Sequence, residues 1–375
     1  MTTLGVGVLG CANIARKTVR GIKRSDVVKV VAVGSRDKAK AERFVSETGL
    51  DGADALGSYE AVLEHPGVDA VYLPLPTKLH ADWVEKAAAA GKHIVLEKPI
   101  AVDEADLERI VAAVKKHGVQ LFDGTMWMHH PRKKAIEARF PDIGGPKLAN
   151  VTFSFAGSPE FFQHDIRLRR SGDPLGALGD IGWYCTRCIL WAFNWDAPLS
   201  VAAGPGTLWA LGADEGDLRI VGDEVEGARE GVPVAMTAGF SFSGGRIASF
   251  TVSFETALTC EARIVGPTGT IHFDDMCIPR VETEASWTVE TKPGFVNNDT
   301  LVKSTLESVT TPNDKPQETL LWEEFAAQVG KGGRGADPFW PKIAARTQRV
   351  LFAIMESAQK GGARVAYSEP EEDKL

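Results

Sequence analysis

The chain has 375 residues, 44% of them hydrophobic and 25% charged, which suggests a globular protein of two domains. A formal net charge of −8 argues against a nucleic-acid or anionic-membrane partner, and no apolar run approaches the roughly 18 residues of a membrane span. The first strand-like run starts at Leu4, leaving no room for a signal peptide, and the five cysteines form no disulfide framework, so a reduced, cytoplasmic setting is expected.

Leu4–Leu9 reads as a strand. The literal G-x-G-x-x-G falls on Gly5, Gly7 and Gly10, but the first two glycines lie inside that strand. A dinucleotide motif places its glycines after the strand, where a tight turn opens a helix toward the pyrophosphate. The working register is therefore Gly10, Ala12, Ala15: a turn, a small residue at the phosphates and a small residue for helix–strand packing. Gly10, Cys11, Ala12, Asn13 and Ile14 are the expected pyrophosphate contacts. A helix from about Ala12 to Lys23 and a second strand, Val27–Val33, complete a βαβ unit of about 30 residues.

That second strand ends at Ser35-Arg36, where an acidic residue would bind a free ribose hydroxyl. A hydroxyl and a guanidinium suit a phosphate, so NADP is expected over NAD, with Lys38 and Lys40 adding positive charge. The alternative is that Arg36 and Lys38 are solvated charges of a helix capped by Asp37. Further strands are read at Val68–Leu73, His93–Leu96 and Val119–Phe122, with helices at Thr77–Ala90 and Asp103–Lys116. This alternation predicts an α/β Rossmann domain over residues 1–125, on a parallel sheet. Leu75, Pro76, Thr77 and His80 follow the third clear strand, at the expected cofactor edge. Glu97-Lys98-Pro99 ends the next one, and strand ends of this kind bind ligands. Pro99 restricts its predecessor and so helps aim Lys98 beside the nicotinamide end.

Beyond about residue 145, period-two patterns such as Phe240, Phe242 and Phe250, Val252, Phe254 predict antiparallel strands with one face buried. Residues 126–375 are read as a second, α+β domain. Gly266–Thr270 is read as a turn, 211–231 as a loop excursion, and 341–359 as a closing helix that packs back toward the first domain. Cys185 and Cys188 spell C-x-x-C inside an apolar helical run and read as core. No metal is expected, because His129 and His130 lack partners at ligand spacing.

"GVLGCANIA", "PLPTKLHADWVEKAAAAGKHIVLEKP" and "GALGDIGWY" resemble the Gfo/Idh/MocA oxidoreductases over nearly the whole chain. "DGTMWMHHPR" and "LGALGDIGWYC" are similar to the branch holding dimeric dihydrodiol dehydrogenase, NADP-dependent D-xylose dehydrogenase and uncharacterised plant members. The resemblance implies a Rossmann domain followed by a domain built on a large open, mostly antiparallel sheet. It also implies a cleft between them and a homodimer or larger assembly through the open sheet faces. The family's Asp-x-x-x-His motif reads Asp180 to Tyr184 here, two residues that a helix presents on one face. Hydride transfer is implied, with Tyr184 exchanging the hydroxyl proton and Asp180 fixing substrate hydroxyls. The Lys98 ammonium would lower the phenol from its usual pKa of about 10. Trp127 is expected to stack in a sugar-sized pocket, Met128 stands near a position where many relatives carry Arg, and Arg167, close to Asp165, is a candidate for binding hydroxyls. The expected activity is an NADP-dependent dehydrogenase or reductase acting on an aldose, ketosugar or cyclic diol. Its rivals are a silent NADP-binding regulator and a redox-assisted, NAD-dependent glycosidase.

Overall fold

The computed structural model describes residues 3–296, 301–330, 335–371 and 374–375. The chain divides into two compact units, one comprising Met1–His129 with Lys315–Ala345, the other His130–Asp314 with Arg346–Leu375.

The first unit alternates β1 (Leu4–Leu9), α1 (Asn13–Ile22), β2 (Val28–Gly34), α2 (Lys38–Thr48), β3 (Asp54–Leu56), α3 (Tyr59–Glu64), β4 (Ala70–Leu73), α4 (His80–Ala89), β5 (His93–Leu96), α5 (Glu104–His117) and β6 (Leu121–Asp123). The strands form one parallel sheet in the order β3-β2-β1-β4-β5-β6. The order reverses between β1 and β4, the crevice where open parallel sheets bind ligands. Helices cover both faces, so β1 is buried along its length. Each fully buried Val or Leu of this core contributes about 1.5–3 kcal/mol. The edge strand β3 was not read from the sequence; three residues are too few to show a period.

The glycines inside β1 have packing roles. A Cβ on Gly5 would stand 1.9 Å from the Gly67 carbonyl oxygen, and one on Gly7 would stand 2.3 Å from Val62 Cγ1. Gly10 alone of the three has a positive φ, +113°, which suits the turn between β1 and α1.

The helix Gln317–Val329 belongs to this unit and was missing from the sequence reading. It lies so close to α1 that a Cβ on Gly21 would stand 2.6 Å from Glu318 Cβ, and Thr319 Oγ1 donates to the Gly21 carbonyl at 2.8 Å. Its Trp322 and Phe325 meet Tyr72 and Phe122 edge to face.

The second unit is built on an eleven-stranded sheet. Its centre runs from Val232–Ser241 through Ile247–Ser253, Leu148–Ser154 and Thr259–Gly266 to Gly269–Phe273. Among the described residues these pairings are antiparallel except Ile247–Ser253 with Leu148–Ser154. One face carries the buried Phe240, Phe250, Val252 and Ile264, while the other presents Thr237, Thr251 and Asn150. The helix Gly182–Ala192, every residue buried, packs on strands Leu148–Ser154 and Ile247–Ser253. Cys185 and Cys188 are fully covered within it. The 211–231 segment holds more order than the sequence suggested, because Arg219–Gly222 pairs with Leu208–Leu211. The closing helix spans Phe339–Gln359; its residues through Ala345 fall in the first unit and those from Arg346 in the second. Among the described residues no helix is long and apolar enough to cross a membrane.

Candidate functional site

In the first unit, Ala12 caps α1 without offering a side-chain acceptor; Ala15 N donates to the Ala12 carbonyl oxygen at 3.1 Å, and Asn13 and Ile14 form the start of the helix, where a helix N-terminus favours an anion. Cys11 is half-buried beside them, and Asn13 and Ile14 are exposed. Burial pushes the Cys11 thiol up, opposed by the charges of Lys40 and Arg16. Burial also pushes the Tyr59 phenol up, opposed by Arg36. Three cations from α1, α2 and the end of β2 thus act on groups at or beside this turn. Ser35 is buried and its Oγ accepts from Asp37 N at 3.2 Å, while Arg36 is exposed. Asp37 caps α2 by accepting from Ala39 N at 3.0 Å. Lys38 lies on the exposed surface 4.0 Å from Glu42, so Lys40 is the lysine whose charge reaches Cys11.

The loops after β4 and β5 are tied together by His80. Its Nε2 lies 2.9 Å from the Leu75 carbonyl oxygen and its Nδ1 lies 3.2 Å from that of Ile100. Burial pushes His80 down to about 4, so the ring is neutral at pH 7 and has one N–H to donate. It is a buried strap between the two loops, and its one N–H donates to only one of these two carbonyls at a time. Thr77 is buried and Pro76 half-buried in the same turn.

Glu97, at the end of β5, accepts from the Tyr72 hydroxyl and from Lys98 N at 3.3 Å. Thr18 Oγ1 in turn donates to the Tyr72 oxygen at 3.0 Å. A Cβ on Gly124 would stand 3.0 Å from a Glu97 oxygen. Burial raises the Glu97 carboxyl, Tyr72 and the Lys98 charge pull it back, and Asp123 adds to the rise. The half-buried Lys98 therefore sits beside a carboxylate held by two strands, and its peptide to Pro99 is cis. Tyr72 and Thr18 were missed in the sequence; a phenol in the middle of a buried parallel strand was the available signal, because its hydroxyl needs a partner. Trp127 and Met128 are 4% and 6% exposed, leaving the Trp127 ring little free face for stacking. His129 Nδ1 lies 2.9 Å from Glu324 Oε2, with its ring stacked on Trp340.

In the second unit, Asp180 ends the short helix Gly176–Asp180 and Tyr184 lies in the first turn of Gly182–Ala192, with Ile181 between them. Both are 7% exposed, and the Tyr184 ring lies 5.8 Å from that of Phe153. Arg167 joins this site through Nη1, which donates to Asp180 Oδ2 at 2.8 Å. Its Nε and Nη2 donate to the two oxygens of Asp165 at 2.8 and 2.9 Å. The guanidinium carbon lies 4.8 Å from the Phe161 ring centre. Arg167 is thus committed to two carboxylates, although the sequence suggested substrate hydroxyls as its partners. Asp165 and Phe161 complete a cluster that the spacing alone could not show.

A doubly wound parallel sheet, an open helix N-terminus at its switch point and cations around that turn define a dinucleotide-binding protein. Residues 4–125 match the model of the oxidoreductase family with an NAD-binding Rossmann fold, and residues 134–272 match the Gfo/Idh/MocA C-terminal domain. The chain belongs to the Gfo/Idh/MocA oxidoreductase family. It is 32% identical over 288 residues to a dTDP-3,4-didehydro-2,6-dideoxy-alpha-D-glucose 3-reductase of Saccharopolyspora spinosa, covering 76% of this chain and 79% of that one. It is 27% identical over 369 residues to a D-xylose 1-dehydrogenase (NADP(+)) of Haloferax volcanii, covering 95% and 98%. The crystal structure of the 3-ketoreductase KijD10 from Actinomadura kijaniata, in complex with NADP and TDP-benzene, superimposes with a TM-score of 0.78 at 25% identity, covering 95% and 98%.

Proposed function

We propose that this chain is an NADP-dependent oxidoreductase moving hydride between the nicotinamide and a carbinol or carbonyl carbon of a sugar or cyclic diol. The observation that carries this reading is the turn at Gly10. It pairs a positive φ and an uncapped ten-residue helix with Arg16, Arg36 and Lys40, a donor set that fits a phosphorylated dinucleotide. Relatives that reduce a keto-sugar or oxidise xylose with NADP support the substrate class.

In this reading the backbone from Cys11 to Ile14 holds the pyrophosphate, and Ser35 with Arg36 holds the ribose phosphate. The segment from Leu75 to Thr77, with Glu97 and Lys98, borders the nicotinamide end. His80 contributes by bracing the Leu75 and Ile100 loops. The bound cofactor supplies the hydride acceptor or donor. The chain's own part is binding, orientation and proton handling. Asp180 accepts hydrogen bonds from substrate hydroxyls, and Tyr184 exchanges the proton of the reacting hydroxyl.

The test is a panel of aldoses, keto-sugars free or linked to a nucleoside diphosphate, and cyclic diols, followed by NADPH absorbance in both directions. Turnover of at least one class supports the reading. Tight NADPH binding with no turnover across the panel would instead favour a silent cofactor-binding regulator. We extend the reading to a homodimer or larger built on the polar sheet face of the second unit, which a monomeric mass by light scattering would refute.

A further inference from the structure

Four of the five cysteines lie in the second unit, and none of them enters the proposed chemistry. Cys185 and Cys188 sit on the buried helix Gly182–Ala192. Cys260 lies on the strand Thr259–Gly266, opposite Phe153 of Leu148–Ser154, and that helix packs on Leu148–Ser154. Cys277 follows the strand Gly269–Phe273, in the segment whose Asp275 and Met276 carbonyl oxygens each accept from Arg132 Nη2 at 2.9 Å.

The segment holding Cys277 is laid along Cys260. Met276 N donates to the Cys260 carbonyl oxygen at 2.7 Å, and Cys277 N donates to Cys260 Sγ at 3.3 Å. The Cys260 sulfur thus lies against the backbone that carries the Cys277 thiol, and a disulfide needs backbones that approach this closely. Hydrogen bonding from the Cys277 side chain pulls the Cys260 thiol below its usual value, with burial opposing and the backbone at Cys277 and Ile278 assisting. Burial pushes Cys185 and Cys188 up instead, and the neighbouring Cys260 adds to the rise. The thiolate is the reactive form of cysteine, so Cys260 is the nucleophile of the four. It is also the most accessible of them, at 8% exposure, and Ile278 beside Cys277 is 48% exposed, so the pair lies just beneath the surface.

We propose that Cys260 and Cys277 form a redox-active dithiol that a peroxide converts to a disulfide, fastening the segment that holds Arg132 to the strand Thr259–Gly266. The Cys260 sulfur attacks one peroxide oxygen. An S–O bond forms, the O–O bond breaks, and hydroxide leaves with the thiol proton as water, giving a sulfenic acid. The Cys277 sulfur then attacks the sulfenic sulfur. The S–S bond forms, the S–O bond breaks, and the hydroxyl leaves with the Cys277 proton as a second water. The two sulfurs together give up two electrons, which the peroxide takes up. A thiol reductant reverses the reaction by exchange.

The test uses the full chain without denaturant. It is treated with hydrogen peroxide in small excess, alkylated in urea and digested without reductant. The Cys260 and Cys277 peptides are expected as one linked species, lighter by two hydrogens than the separate peptides. The thiol count should fall by two from the five of the chain, and dithiothreitol should reverse both changes. Oxidation should also raise the urea midpoint, because the bond closes a loop between residues 17 positions apart. Cys260→Ala and Cys277→Ala should each abolish the link and leave the midpoint unmoved by peroxide. If either variant fails to fold, the peptide map of the parent chain decides alone. A link through Cys11, Cys185 or Cys188, a sulfinic acid at Cys260 beside an unreacted Cys277, or five remaining thiols would overturn the proposal. A linked protein with an unchanged midpoint would overturn the fastening.

Discussion

Tyr72 donates its phenolic hydrogen to Glu97 while accepting one from Thr18, so a hydroxyl on α1, a phenol on β4 and a carboxylate at the end of β5 form one chain through the first unit. Tyr72 is fully buried and Trp322 covers it edge to face. Tyr72→Phe keeps the ring and removes the donor. Glu97 then loses a partner in a site where burial already raises its carboxyl. The expected cost is about 1–3 kcal/mol, that of leaving a buried acceptor short of a donor. Urea unfolding measures it, and a variant as stable as the parent would show that the phenol contributes nothing net.

In the proposed reading, cofactor choice is decided at the end of β2. NADPH should bind at least tenfold tighter than NADH, a difference of about 1.4 kcal/mol. Arg36→Ala should weaken NADPH far more than NADH, because in the proposed reading the guanidinium pairs with the ribose phosphate that NADH lacks. Fluorescence titrations of both cofactors check this. Equal dissociation constants in the parent protein would contradict the assignment.

His80 makes stability depend on pH. Its ordinary value of 6.5 falls to about 4 in the folded protein, because burial disfavours the imidazolium. The unfolded chain therefore binds a proton first as pH drops. His80's contribution is fully present above pH 6.5 and is lost progressively until the folded ring titrates near 4. At 1.36 kcal/mol per unit, the loss from pH 6.5 to 5 amounts to about 2 kcal/mol. His80→Gln should flatten the stability-versus-pH curve by that amount while keeping one donor for the strap. Parallel curves for the two proteins in urea melts at pH 7, 6 and 5 would rule the linkage out.

Tyr184→Phe should lower kcat by about 10²–10⁴-fold, the usual contribution of general acid–base catalysis, with NADPH affinity nearly unchanged. Lys98→Ala should lower kcat as well. Near-normal kcat in Tyr184→Phe would reduce the phenol to a packing residue against Phe153.

Much of the first unit was legible in the sequence. The bounds of β1 and β5, the Asp103 cap of α5 and the turn at Gly10 all follow from local signals: apolar runs, a capping side chain and a glycine where φ must be positive. So did the demotion of Gly5 and Gly7, and the steric reason is now visible in their contact with Gly67 and Val62. Placing a glycine inside or after a strand needs only the period of its neighbours.

What the sequence by itself determined was the class of each segment and the chemistry available at each turn, because helix caps, strand runs and tight turns are set by residues a few positions apart. The tertiary structure alone decided which distant groups meet. It brought the helix Gln317–Val329 onto α1 across nearly 300 positions, buried His80, a candidate at the cofactor edge, as a strap between two loops, and closed the Thr18–Tyr72–Glu97 chain. It also showed that the Arg167 guanidinium is already shared between Asp165 and Asp180. Hydrogen bonds of this kind are chosen by which polar groups burial leaves without water, and that depends on packing between elements rather than on spacing along the chain.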